Sequence, residues 1–216
     1  MESLLRRISV VLTKANKMAT WKLRTYLLRI AVIPIAFAAL FVKSSWSLGS
    51  TTAFIIESSG YLLILTGLAI RMWCTFYREN PRAIEFVTTG PYSICRNPFY
   101  IGYFLLTAGA GLFFENPLML LLVLGITIPF IMATIWMEEA HMELLLGESY
   151  QEYKKNIARF WPRLSHYKSP DRLNVRVGIV RQVAIEVMIV VLLVEIKEVL
   201  EILRARGVLP ILWHFP

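Results

Sequence analysis

The sequence predicts an all-α fold: an integral membrane helical bundle of four to five transmembrane helices, with amphipathic helices on its cytosolic side. Three observations predict it. Hydrophobic residues make up 56% of the 216 positions and charged residues only 18%, with a mean hydropathy of +0.57. That is too little charge to cover the surface of a soluble domain of this size. The apolar residues come in long runs rather than one-sided stripes, and Lys and Arg alternate between rich and poor connections along the chain.

The first 26 residues form a basic segment in which Leu4, Leu5, Ile8, Val11 and Leu12 are spaced for one helical face. Two readings stand for it, an amphipathic helix on the membrane surface or a polar leader; neither is a cleavable signal peptide. A membrane core is expected over 27–165. Its first span covers about 27–42 and is short, with Arg29 snorkelling. The second covers about 52–77, with Glu57 and Arg71 near its two ends. The third begins after Pro98 and ends near Phe114. The Asn116-Pro117 turn then opens a fourth, reaching about Trp136, with Pro129 placed to kink it. So tight a turn makes spans three and four an antiparallel hairpin. The remainder, 166–216, holds an apolar stretch at 177–194 interrupted by Arg181 and Glu186. It is read as a fifth helix, spanning or interfacial.

Orientation follows from the basic residues. Arg6, Arg7, Lys14, Lys17, Lys22, Arg24 and Arg29 precede span one, while the next connection has only Lys43. Arg71, Arg78, Arg82 and Arg96 mark the connection between spans two and three, and the Glu115-Asn116 turn has no basic residue. Lys154, Lys155, Arg159, Arg163, Lys168, Arg172 and Arg176 follow span four. This alternation puts the N-terminus and the longer polar segments in the cytosol, in a bacterial or archaeal inner membrane rather than the endoplasmic reticulum. The net charge of +8 is thereby assigned to lipid headgroups and not to nucleic acid. Cys74 and Cys95 are too far apart for a CxxC motif and have no histidine-rich companion, so reduced thiols and no metal are expected.

Two cytosolic segments carry the chemistry. In 88–102, Gly90-Pro91 makes a turn and Asn97-Pro98 starts a helix. Arg96 and the open amides there suit an anion, and the faces of Tyr92 and Tyr100 suit a cation. In 136–153, Glu138 and Glu139 stand where span four leaves the bilayer, about 100° apart on a helix, so one can face the bundle and the other solvent. Alone, each segment also admits a plain reading, as an interfacial Arg-Tyr turn or a solvated helix start. The hairpin brings both to one membrane face, giving a pocket with an anion-binding end, a carboxylate end and aromatic walls.

These residues, with Gly67-Leu68-Ala69-Ile70-Arg71, Leu146-Gly147, Tyr150, Tyr153 and Trp161-Pro162, resemble the isoprenylcysteine carboxyl methyltransferase and phosphatidylethanolamine N-methyltransferase superfamily over about 67–162. The resemblance implies S-adenosylmethionine as cofactor, contacted by Val87, Tyr92, Asn97, Pro98, Tyr100 and Glu138. Arg96 and Glu139 are expected at the catalytic centre, with Glu139 as candidate base for an amine acceptor. The partner is a membrane lipid or lipidated substrate, methylated on a carboxyl oxygen or an amine. Two departures weaken a prenylcysteine carboxylate as the substrate, and Asn97-Pro98 with Tyr100 and Gly102 looks instead like the phosphatidylethanolamine branch. Asn97 stands where the carboxyl methyltransferases carry His, and Thr134 where they carry Arg. A sterol-reductase-like enzyme using NADPH and a non-catalytic lipid-binding module are the competing classes.

Overall fold

Proline at the first helical position, where a missing N–H costs nothing, starts three of the helices. The computed structural model describes residues 46, 50–78, 87–173, 175 and 177–208, all within the unit Phe41–Pro216. Helix α1 spans Thr51–Arg78, and a short α2 (Pro91–Ile94) leads into α3 (Pro98–Phe113). Helix α4 follows at Pro117–Leu146, then α5 (Glu148–Asn156), a 3₁₀ turn at Leu164–His166 and α6 (Val177–Ala205). Among the described residues there is no strand. By length and composition α1, α4 and α6 can each cross a membrane, while α3 is a shorter apolar helix. The fold is therefore the expected membrane helical bundle. The span expected at 27–42 and the N-terminal segment 1–26 lie outside the described residues.

Helices α1 and α3 lie antiparallel and close, because glycine faces glycine at two levels. A Cβ on Gly67 would stand 2.6 Å from the Gly102 carbonyl oxygen, and one on Gly109 would stand 2.7 Å from that of Gly60. Seven residues separate the glycines on each helix, two turns, so both pairs fall on one line of contact. Helix α3 turns directly into α4. Glu115 takes a positive φ of 50°, and the Asn116 side chain caps α4 by accepting from the Leu118 and Met119 amides at 2.9 and 3.2 Å. This is the expected hairpin.

Helix α4 continues ten residues beyond Trp136, so Glu138 and Glu139 lie inside a helix rather than at its start. It also passes through Pro129 without ending; the carbonyl that the ring would crowd belongs to Gly125, which has open space around it. Gly147, at φ 53°, ends α4 and turns the chain into α5.

Helix α6 is longer than the apolar stretch that announced it, and charged residues on α1 hold it. Arg71 of α1 is buried, ion-pairs with Glu186 of α6, and lies over the rings of Tyr103 and Phe99 at 3.7 and 4.5 Å. Near the other end of α1, Glu57 accepts from Lys197 Nζ at 3.0 Å. Residue 186 meets 71 and residue 197 meets 57, so α6 runs antiparallel to α1.

Candidate functional site

The loop into α3 is shaped by Gly90. Its φ of 61° favours glycine, and an added Cβ would overlap the Tyr77 ring. From there the chain is laced to the segment that follows α5. The Arg96 amide donates to the Ala158 carbonyl at 2.9 Å, the Asn97 amide to Arg159 at 3.2 Å, and the Arg163 amide to Ile94 at 2.9 Å. The Gly90 amide donates to Lys168 at 2.6 Å, and the Lys168 amide to Ser93 Oγ at 2.9 Å. Tyr153 of α5 donates its hydroxyl to the Tyr92 carbonyl at 2.6 Å. Two stretches about 65 residues apart thus form one backbone-paired platform at the start of α3.

Glu139 reaches this platform from α4. It is only 5% exposed, and its carboxylate accepts from Asn97 Nδ2 at 2.8 Å and from Arg159 Nη2 at 2.6 Å. Arg96 Nε stands 3.5 Å from the same carboxylate, is buried, and makes no hydrogen bond among the described residues. Arg96 Nη1 donates to the Lys154 carbonyl at 3.1 Å. One buried carboxylate is therefore surrounded by two guanidinium groups and an amide. Such a cluster carries surplus positive charge, which an incoming anion would balance.

Glu138 lies on the exposed face of the same helix, so the adjacent carboxylates divide as their 100° offset requires. Pro98 is buried as the first residue of α3, and Val87 is partly buried in the approach to α2. Tyr100 is buried against Ile131 and Ile135 of α4 and stacks with Tyr103. Tyr92 is half-buried in α2. Of the residues singled out from sequence, Arg96, Asn97 and Glu139 meet directly, and Tyr100 packs on the helix that carries both glutamates. Val87 and Glu138 stand on the neighbouring elements, outside that direct meeting. Thr134, where an arginine was looked for, is buried and donates its hydroxyl to the Phe130 carbonyl of its own helix at 2.8 Å.

Arg159 is the member that the sequence did not single out beyond its contribution to orientation. Its signal was faint: a basic residue directly before the aromatic pair Phe160-Trp161. Burial pushes the Cys95 thiol up to about 11, and it donates to the Arg159 carbonyl at 3.2 Å. Burial, aided by the charge of Glu139, pushes Tyr150 up to about 12, and burial also raises Tyr153. These groups stay protonated at neutral pH and serve as donors and packing. Among the described residues no three His, Cys, Asp or Glu side chains are grouped to hold a metal ion.

Comparison with known proteins places this arrangement. Residues 30–149, more than half of the chain, match the phospholipid methyltransferase family. Over 150 residues the chain is 28% identical to the nickel-cobalt-cadmium resistance protein NccN of Alcaligenes xylosoxydans xylosoxydans, covering 69% of this chain and 70% of that protein. It is also 28% identical over 150 residues to the cobalt-zinc-cadmium resistance protein CzcN of Cupriavidus metallidurans, covering 69% and 68%. A shorter stretch of 71 residues is 32% identical to the protein-S-isoprenylcysteine O-methyltransferase of Schizosaccharomyces pombe, covering 33% of this chain and 30% of that one. No solved structure matches the chain. The matched residues contain Arg96, Asn97, Glu138 and Glu139 and both helices of the hairpin, and on that basis the chain belongs to the phospholipid methyltransferase family, as a membrane methyltransferase for a lipid-type substrate.

Proposed function

We propose that this protein transfers a methyl group from S-adenosylmethionine to a lipophilic acceptor, at the cytosolic end of the bundle where the entry to α3 meets the exit of α4. The observation that carries the reading is the joining of Arg96 and Asn97 to Glu139, which unites the two segments. The residues present fit such a donor. The buried Arg96 Nε, without a hydrogen bond among the described residues, suits a carboxylate, and the exposed Glu138 suits an ammonium. Tyr92 and Tyr100 supply aromatic faces for a sulfonium, and Val87, Asn97 and Pro98 complete the proposed contacts. When bound, S-adenosylmethionine supplies a methyl group already activated by its positive sulfur.

The chain's own part is then positioning and exclusion of water. Glu139 holds Arg96, Asn97 and Arg159 in register. With its carboxylate engaged by all three, it is a poor proton acceptor. This favours an acceptor whose attacking atom is already deprotonated, such as a carboxylate oxygen, over an amine that must lose a proton. The apolar tail of the acceptor enters sideways from the bilayer between the helices.

Calorimetric titration of the protein in detergent with S-adenosylmethionine, S-adenosylhomocysteine and NADPH tests the reading. Saturable binding of NADPH alone would sink it in favour of a reductase. If the donor binds, Glu138→Ala and Tyr92→Ala should each weaken it about tenfold, the loss of one charge-assisted or cation–π contact. Unchanged affinity in both would refute the placement. Lipid extraction after incubation with labelled donor then shows whether a carboxylate or an amine is methylated.

A further inference from the structure

Beyond the platform, the chain presents an exposed surface that the proposed chemistry does not use, although Tyr167 also meets Trp73, with ring centres 6.0 Å apart, and the Tyr77 hydroxyl at 3.5 Å. Trp161 is 80% exposed, Leu164 77% and Tyr167 47%, and they alternate with the exposed Arg163 and Lys168. Over 157–172 there are four Arg or Lys residues, Arg159, Arg163, Lys168 and Arg172, against the single acidic Asp171. Large apolar rings with basic neighbours are the composition of a headgroup-region contact.

The depth of this surface follows from α3. Its 16 residues span about 24 Å, less than the roughly 30 Å of a hydrocarbon core. Its first residue, Pro98, therefore lies at or just within the membrane boundary. The 158–163 stretch is hydrogen-bonded to 94–97 immediately before it, so it sits at headgroup level rather than out in water.

We infer that the segment 161–168 docks on the anionic headgroup surface of the membrane that holds the protein, and that this docking steadies Arg159 against Glu139. Trp161, Leu164 and Tyr167 enter the interface while Arg163 and Lys168 meet lipid phosphates. The coupling runs through the backbone. Arg163 and Lys168 bond to Ile94, Gly90 and Ser93, and those bonds bracket the Arg96–Asn97 pairing with Ala158 and Arg159. The docking itself stands apart from the methyl-donor reading; its effect on donor binding rests on that reading.

The full chain reconstituted in nanodiscs tests both halves. With phosphatidylcholine and phosphatidylglycerol brominated near the headgroup end, Trp161→Phe should remove a large share of the lipid-quenched fluorescence, and Leu164→Trp should add a strongly quenched emitter. If the Trp161 difference signal resists lipid bromine but is quenched by iodide, the segment faces water or another protein and the docking is overturned. Should Trp161→Phe fold poorly, the emission added by Leu164→Trp decides the same question in the same way. Affinity for S-adenosylhomocysteine should be at least about threefold tighter in discs containing phosphatidylglycerol than in pure phosphatidylcholine. The double variant Arg163→Gln, Lys168→Gln should abolish that difference and leave the phosphatidylcholine value in place. Equal affinities for the unaltered chain in both discs would overturn the coupling. Absence of donor binding in every disc would instead defeat the proposed function, and the quenching result would still decide the docking.

Discussion

Two buried charge clusters sit at opposite ends of α1 and α3, built alike and opposite in sign. At one end Glu139 is held by Arg96, Arg159 and Asn97, one carboxylate among two guanidinium groups. At the other, the buried Lys197 reaches Glu57 at 3.0 Å, Glu201 at 2.9 Å and Glu198 at 3.6 Å, and lies 4.5 Å from the centre of the Phe113 ring. That is one ammonium among three carboxylates. A charge in a membrane helix is costly unless paired, and both clusters meet this need. They differ in what surrounds them. The Glu139 cluster joins loops, two helices and the backbone platform, and it leaves a guanidinium nitrogen without a hydrogen bond among the described residues. Among the described residues the Lys197 cluster joins α1 and α6 over the α3 ring, helix to helix. On the proposed function the first receives a ligand, while the second fastens a helix.

The largest effect should come from Glu139→Gln, which leaves two guanidinium groups facing each other without their counter-charge. A loss of about 3–5 kcal/mol in stability is expected, together with loss of donor binding, read by thermal unfolding in detergent and by titration. Lys197→Met should cost less, about 2–3 kcal/mol, because Glu198 and Glu57 are partly exposed and can turn to water. Donor affinity should be unchanged in that variant. Equal damage to donor binding from both substitutions would break the distinction between the two ends.

A smaller effect sharpens it. Tyr153→Phe removes the hydroxyl that holds the Tyr92 carbonyl, with a cost of about 1 kcal/mol and a donor affinity lowered several-fold, while the contacts of Lys197 stay as they are. Smallest of all is a pH effect confined to the platform. The folded Cys95 thiol is pushed up to about 11 and Tyr150 to about 12, both above their ordinary values. Groups raised in this way favour the folded state fully below their unfolded pKa, and the advantage is lost as pH rises through the folded value. Stability should therefore be flat with respect to these groups from pH of about 6 to 8 and decline above a pH of about 9, where an unfolded thiol begins to ionise. Thermal melts across that range test this, and Cys95→Ser should remove the lower-pH part of the decline.

Much of the architecture could be read before any coordinates. Asn116-Pro117 announced the hairpin of α3 and α4, since a tight turn between two apolar runs allows little else. The hairpin in turn implied that Arg96 and Asn97 would approach the glutamate pair. Which glutamate would face inward was left open, because a 100° offset says only that the two differ. Arg159 and Lys197 were not legible as partners for a different reason. Arg159 owes its place to backbone hydrogen bonds with residues more than 60 positions earlier, and Lys197 to a carboxylate 140 positions away. Local pattern carries no trace of either pairing. For the same reason Glu186 looked like an interruption of an apolar helix, when it and Lys197 attach α6 to α1.

The sequence by itself determined that the chain lives in a membrane, where its helices begin and turn, and which short segments hold reactive side chains. Hydropathy, proline and glycine act locally, through burial of apolar surface and through backbone dihedral limits, so each can be read within a few residues. Only the tertiary structure decided that Glu139 is the inward carboxylate, that Arg159 completes its setting, and that α6 is fastened by ion pairs. Those outcomes depend on which distant groups reach one another when helices pack, and in a low-dielectric interior a buried charge is stable only where that meeting takes place.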